Sequence, residues 1–228
     1  MVKRLIAQGE LEYANKFGST YLEISFNKPV RVSTYVVLKP PGYPYQAQPG
    51  DAVIQIKPGA SFGDGRHPTT RLAIRGIEYV LKKFEFDDSR HRPNVLDIGT
   101  GTGILALTAV GLGIHNGIGI DIDPCARSEA KENVLLNNFE GQIDISDQYL
   151  EAIDQSFLLV TANLRLPTLI KICPCMRRIT TPKGLIILSG IRSHESADLV
   201  KIYSRKNFEI QWQQKELDWM GVVFRRFD

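Results

Sequence analysis

With 228 residues, 43% of them hydrophobic and 23% charged, the chain has the composition of a globular protein and the length of one α/β domain with a small appendage. A net charge of +3 is too slight to argue for nucleic acid or a membrane surface as a partner, and no run approaches the ~20 apolar residues of a membrane span. The three cysteines, Cys125, Cys173 and Cys175, form no disulfide framework and point to a reducing cytoplasm. Cys173-Pro174-Cys175 has the wrong spacing for a zinc knuckle, so these are expected to be core or helix-surface thiols and no metal is expected. At the N-terminus, Gln8, Glu10 and Glu12 interrupt the opening run before a signal-peptide core could form.

In chain order, residues 1–60 read as a polar opening followed by a small β-rich region. Tyr21–Phe26 alternates with period two, Val53–Ile56 does so less cleanly, and Lys39–Pro44 is loop by its prolines and glycine. Residues 61–228 read as the main domain. Ala73, Ile77, Val80, Leu81 and Phe84 recur at helical spacing, with Thr69 or Thr70 near the helix start. Strands are expected at about 94–98, 117–121, 142–146, 157–162 and 185–190. The spacings leave room for crossover helices, so the sheet should be doubly wound and mostly parallel. Phe208–Lys215 and Trp219–Phe227, around Asp218, read as a closing antiparallel hairpin and bring the sheet to seven strands.

The chemistry concentrates at Asp97-Ile98-Gly99-Thr100-Gly101-Thr102-Gly103, between the strand-like Asn94–Leu96 and the helix-like Ile104–Leu107. A strand, glycine loop and helix in that order let a nucleotide-type ligand touch main chain. Gly119-Ile120-Asp121 ends the next apolar run with an acid that could hold a ribose diol. Asp123, just before Pro124, reads instead as a helix cap. A dinucleotide would bring a pyrophosphate, and a fixed Asp97 beside it would repel that charge by about 4 kcal/mol at ~4 Å and an effective dielectric near 20. S-adenosylmethionine brings an ammonium and a sulfonium, which the same carboxylate attracts. The dinucleotide pattern would also place its third glycine at position 104, which is Ile104. A methyl-donor site is therefore expected over a nicotinamide site, with Asp97 facing the donor's ammonium and Gly99, Gly101 and Gly103 admitting its methionine part.

Val95–Leu105 and Gly117–Pro124 resemble the first two signature motifs of class I S-adenosylmethionine-dependent methyltransferases, whose Rossmann-like sheet matches the expected strands. Ala60–Thr70, A-S-F-G-D-G-R-H-P-T-T, resembles the A-F-G-T-G-T-H-P-T-T signature of the PrmA family, ribosomal-protein lysine methyltransferases that act on large-subunit protein eleven. Val160–Arg165 resembles that family's V-V-A-N-I-L segment, and Gly184–Gly190 and Trp219–Arg226 resemble its final strands. Asp64 and Arg66 stand where the family has threonines, and the N-terminal region is shorter than the family's recruitment domain.

The resemblance implies donor contacts at Thr70, Gly99, Asp121 and Asn163, and related enzymes use an acid near the position of Asp147 to meet the adenine amino group. Asn163 is also the expected catalytic residue, since it ends an apolar strand and carries both a donor and an acceptor atom. Leu164-Arg165-Leu166-Pro167 is not the N-P-P-Y signature of nucleobase or glutamine methyltransferases. Phe62 and His67 are candidates for a flap over the donor. The expected protein is a cytoplasmic, monomeric methyltransferase acting on nitrogen, with a protein acceptor, ribosomal by resemblance. A small-molecule amine acceptor, or a non-catalytic donor-binding partner subunit, stands as the alternative.

Overall fold

The computed structural model describes residues 1–16, 18–57, 59–84 and 94–228. A short helix α1 (Val2–Ala7) precedes a hairpin of β1 (Leu11–Lys16) and β2 (Ser19–Ile24), which turns at Gly18 with φ +76°. Helix α1 and strand β1 fall where the sequence reads only as a polar opening. Leu11 and Tyr13 do alternate with Glu12, but the run is too short to stand out.

Three strands follow, β3 (Val30–Arg31), β4 (Val36–Lys39) and β5 (Ala52–Gln55), with β4 and β5 parallel. Their inward residues Val36, Leu38 and Ile54 share one apolar cluster with Ile74, Ile77, Leu105 and Leu107. Glu78 fixes the turn before β4, accepting from the Tyr35 N–H at 2.8 Å and from the Ser33 hydroxyl.

The main sheet has seven strands, built from β6 (Asn94–Ile98), β7 (Asn116–Ile120), β8 (Ile143–Ser146), β9 (Phe157–Asn163), β10 (Thr180–Arg192), β11 (Phe208–Glu216) and β12 (Trp219–Arg226). Their order is β11-β12-β10-β9-β6-β7-β8. All neighbours pair in parallel except β12, which runs antiparallel to both β10 and β11. The doubly wound sheet and its closing hairpin are thus as the sequence predicts. Strand β10 starts earlier than the expected residue 185, because Thr180 already pairs with Phe157 before the register slips at Pro182–Gly184.

Helix α2 (Pro68–Lys83) and helix α3 (Ile104–Gly111) cover one face; α5 (Leu166–Ile179) and α6 (Ser196–Ser204) cover the other, and α4 (Pro124–Leu136) flanks β8. Successive residues of β6 serve both layers. Val95 packs toward α2 and α3, and Leu96 toward α5. Helix α3 is apolar all round because it lies between the sheet and β5, and a Cβ on Gly111 would come within 2.8 Å of Ile54 Cδ1. Cys173 is buried in the second layer, Cys175 is half-buried on the same helix α5, and Cys125 is exposed on α4. No described helix is long and apolar enough to cross a membrane.

Candidate active site

Strand order reverses at β6, with β7 on one side and β9 on the other. The crevice outside the carboxyl ends of those strands is where open α/β sheets bind ligands. A cleft of about 690 Å³ opens there, lined by Gly99 and Gly101 after β6, Asp121 after β7, Asn163 at the end of β9, and Phe62 from a strap that precedes α2.

The loop after β6 is held by main chain. The N–H groups of Gly99 and Thr100 both donate to the Ile120 carbonyl, at 2.9 and 3.0 Å. Gly101 has φ +55°, and a Cβ there would collide with the Phe62 carbonyl oxygen. Only glycine meets both conditions. The Thr102 N–H donates to that carbonyl at 3.1 Å, and Thr102 Oγ1 donates to the Gly63 carbonyl at 2.8 Å. The strap therefore lies directly on the loop. Gly103 sits deeper, as the N-cap of α3 against Ala130, and does not line the cleft.

Asp121 is the best-placed acid. Its Oδ2 accepts the Gly101 N–H at 3.0 Å and its Oδ1 accepts the Asp123 N–H at 3.0 Å, so the carboxylate is oriented while further lone pairs face the cleft. Asp123 caps α4, accepting the Cys125 N–H at 2.9 Å, as expected from its place before Pro124.

Asp97 is placed differently from the sequence-based expectation. It is 1% exposed and does not line the cleft. Thr161 Oγ1 and Thr100 Oγ1 each donate to it at 2.7 Å, so the carboxylate braces the loop from behind and does not face a ligand's ammonium. Burial pushes its carboxyl up to about 6, against the opposing pull of Thr161, Thr100 and the Ala106 N–H. The cleft's charge comes from other residues: Asp121, Asp123 and Glu151 stand against the single ammonium of Lys171. The site still favours a cationic guest over a pyrophosphate, through acids on its rim.

Asn163 lines the cleft, and its Oδ1 is buried with no hydrogen-bond partner among the described residues. Leu164 behind it is clamped, its N–H donating to the Ser189 carbonyl at 3.1 Å while its side chain closes over Gly99. Thr70, in the first turn of α2, also carries a buried hydroxyl without a partner among the described residues, but lies outside the cleft lining. Asp147 is exposed and outside the lining; the chain turns after β8 so that Gln148 and Tyr149 face the cleft instead.

Phe62 is 53% exposed at the cleft mouth and meets His67 edge-on at 5.2 Å between ring centroids. His67 in turn packs edge-on against Trp219 at 4.8 Å and caps α2 through Nδ1, which accepts the Thr69 N–H. Only Phe62 of this pair reaches the cleft. Sequence reasoning missed Ile122 and Tyr149, which are 82% and 70% exposed, line the same cleft as Asp121 and offer it apolar surface. Ile122 carried a signal, being an apolar residue directly after a strand-ending acid. Tyr149 carried none.

The strand order, the glycine loop after β6 and the acid after β7 define a Rossmann-like methyltransferase fold. The ribosomal protein L11 methyltransferase (PrmA) family model matches residues 22–227, and the chain belongs to that family. It is 35% identical over 199 residues to the ribosomal protein L11 methyltransferase of Geobacter sp. (strain M21), covering 87% of this chain and 64% of that protein. It is 36% identical over 198 residues to the protein of the same name from Geobacter sulfurreducens, covering 86% of this chain and 62% of that protein. The chain thus spans a little under two thirds of the length of these relatives. Among solved structures, the ribosomal protein L11 methylase of Lactobacillus delbrueckii subsp. bulgaricus superposes with a TM-score of 0.75 at 28% identity, covering 88% of this chain and 100% of that one.

Proposed function

We propose that this protein transfers a methyl group from S-adenosylmethionine to a nitrogen of a protein acceptor, and that the acceptor is a lysine amine of ribosomal protein L11. The observation that carries this reading is the acid-rimmed cleft at the sheet's switch point, in which Asp121, the main chain of Gly99 and Gly101, and the Asn163 Oδ1, without a partner among the described residues, converge. Its volume of about 690 Å³ and apolar edge at Ile122 and Tyr149 suit a nucleoside, and its carboxylates suit a donor that is cationic. Family membership supports the same donor and acceptor.

The donor, once bound, supplies an electrophilic methyl with a neutral thioether leaving group. The protein's work is to hold the partners in line. Asp121 accepts from the ribose hydroxyls through oxygens already aimed by Gly101 and Asp123. Gly99 and Gly101 allow main chain to approach the methionine part. Asn163 Oδ1 accepts a hydrogen from the incoming amine and directs its lone pair at the methyl. A lysine must arrive neutral, which costs about 4.6 kcal/mol at pH 7 from an ordinary pKa near 10.4. Partial desolvation in the cleft, with Phe62 at its mouth, lowers that cost. We read the active form as a cytoplasmic monomer, which size-exclusion chromatography checks.

The test is incubation of the purified chain with isotope-labelled donor and ribosomal protein L11, read by mass spectrometry of the acceptor. Label on L11 lysine amines is expected. Label confined to small amines would overturn the acceptor, and no transfer to any amine despite donor binding would overturn the activity.

A further inference from the structure

The surface of α4 that faces the strap carries Glu129, Asn133 and Asn137, spaced one helical turn apart so that all three lie on one side. Each is spent on main chain of the segment leading to α2. Glu129 accepts the N–H groups of Ala60 and Ser61, at 2.9 Å to Oε1 and 3.1 Å to Oε2. Asn133 is 1% exposed and joins two segments: its Oδ1 accepts the Lys57 N–H at 3.0 Å, and its Nδ2 donates to the Thr102 carbonyl at 2.9 Å. Asn137 pairs with both main-chain groups of Gln55 in β5, at 2.8 Å each. Neither Glu129 nor Asn133 lines the cleft, yet the segment they hold supplies Ala60, Ser61 and Phe62 to it. The same helix begins at Asp123, next to Asp121. One rigid element therefore sets the distance between the ribose acid, the glycine loop and the strap.

We infer that Glu129 and Asn133 are positioning residues for the donor, holding the strap at the spacing from the glycine loop that the donor requires, while Asn137 serves stability alone. This rests on the donor-binding reading above. Without Asn133, the Lys57 N–H and the Thr102 carbonyl both lose their partner. Among the described residues, the hydrogen bonds left between strap and loop are then those of Thr102, and the loop main chain that frames the donor is less restrained.

The experiment measures S-adenosylhomocysteine affinity by calorimetry and amide hydrogen exchange in the intact chain, for wild type, Glu129→Ala, Glu129→Gln, Asn133→Ala and Asn137→Ala. Glu129→Ala and Asn133→Ala are each expected to bind roughly tenfold more weakly, the effect of losing one or two hydrogen bonds. Faster exchange at Lys57 and Thr102 in Asn133→Ala, and at Ala60 and Ser61 in Glu129→Ala, should accompany it. Glu129→Gln keeps an acceptor oxygen and should recover most of the affinity. Asn137→Ala should lower the melting temperature and leave affinity unchanged, which separates positioning from general destabilisation. Equal affinity in wild type, Glu129→Ala and Asn133→Ala would overturn the inference and leave the donor reading intact. A folded wild type that does not bind S-adenosylhomocysteine would overturn both.

Discussion

Thr161 Oγ1, on β9, donates a 2.7 Å hydrogen bond to Asp97 Oδ1 on the neighbouring strand β6, and both side chains are almost wholly buried. The pair ties together two adjacent parallel strands at the point where the strand order reverses. Because the carboxylate is out of reach of water, it pulls less strongly toward ionisation than an ordinary one, and the consequence is a pH dependence of stability.

Folded Asp97 titrates at about 6, where an unperturbed aspartate titrates at 3.8. Between those values the folded chain keeps a proton that the unfolded chain has released. The stability linked to that proton is complete below about pH 4 and is lost as pH rises through about 6. Two pH units correspond to roughly 3 kcal/mol. Asp97→Asn has no such proton, so it should gain on wild type by that order between about pH 4 and pH 7. Urea denaturation of both proteins across this range checks it; a constant difference at every pH would show that Asp97 is not the group responsible.

Asp121→Ala should reduce donor affinity at least about a hundredfold, since two charge-assisted hydrogen bonds to the ribose are lost at ~1.5–3 kcal/mol each. Calorimetric titration with S-adenosylhomocysteine measures it. Undiminished binding would remove Asp121 from the donor site.

Asn163→Ala should separate binding from chemistry. Turnover on the protein acceptor is expected to fall on the order of a hundredfold, the usual penalty for a misaimed nucleophile, with donor affinity nearly unchanged. Parallel steady-state kinetics and calorimetry decide. A wild-type rate would mean that another group aims the amine.

Gly101→Ala places a methyl on a left-handed residue and against the Phe62 carbonyl. It should destabilise the chain by about 1–3 kcal/mol and displace the strap from the loop. A shifted urea midpoint together with lost donor binding is the expected pair of results. An unchanged midpoint would show that the loop accommodates a side chain there.

The sheet was legible because its signals are local. Asn94–Ile98 and Phe157–Asn163 are largely buried on both faces and carry the apolar stretches Val95-Leu96 and Phe157–Val160, and the turn at Leu217-Asp218 separates two plainly extended segments. The small strands β3 and β4 were not legible, because runs of two and four residues carry too little periodicity to register. Of the residues the sequence singles out, Gly99, Gly101, Asp121, Asn163 and Phe62 line one cleft. Asp147 is expected only from the resemblance, since related enzymes place an acid near that position, whereas the side chains that line the cleft, Gln148 and Tyr149, depend on how the chain turns after Ser146.

The order of residues along the chain was enough to determine the fold class and the family and to single out Asp121 at the cleft, since each depends on short motifs with little freedom in how they fold. Where the charges point was settled only in three dimensions. Asp97 lies near the carboxyl end of β6 and Asp121 just beyond the end of β7, beside the same loop, yet the Asp97 carboxylate accepts threonine hydroxyls inside the protein and the Asp121 carboxylate accepts main-chain N–H groups at the cleft. That difference comes from which strand lies next to which and how deeply, a property of the packed sheet that no local pattern contains.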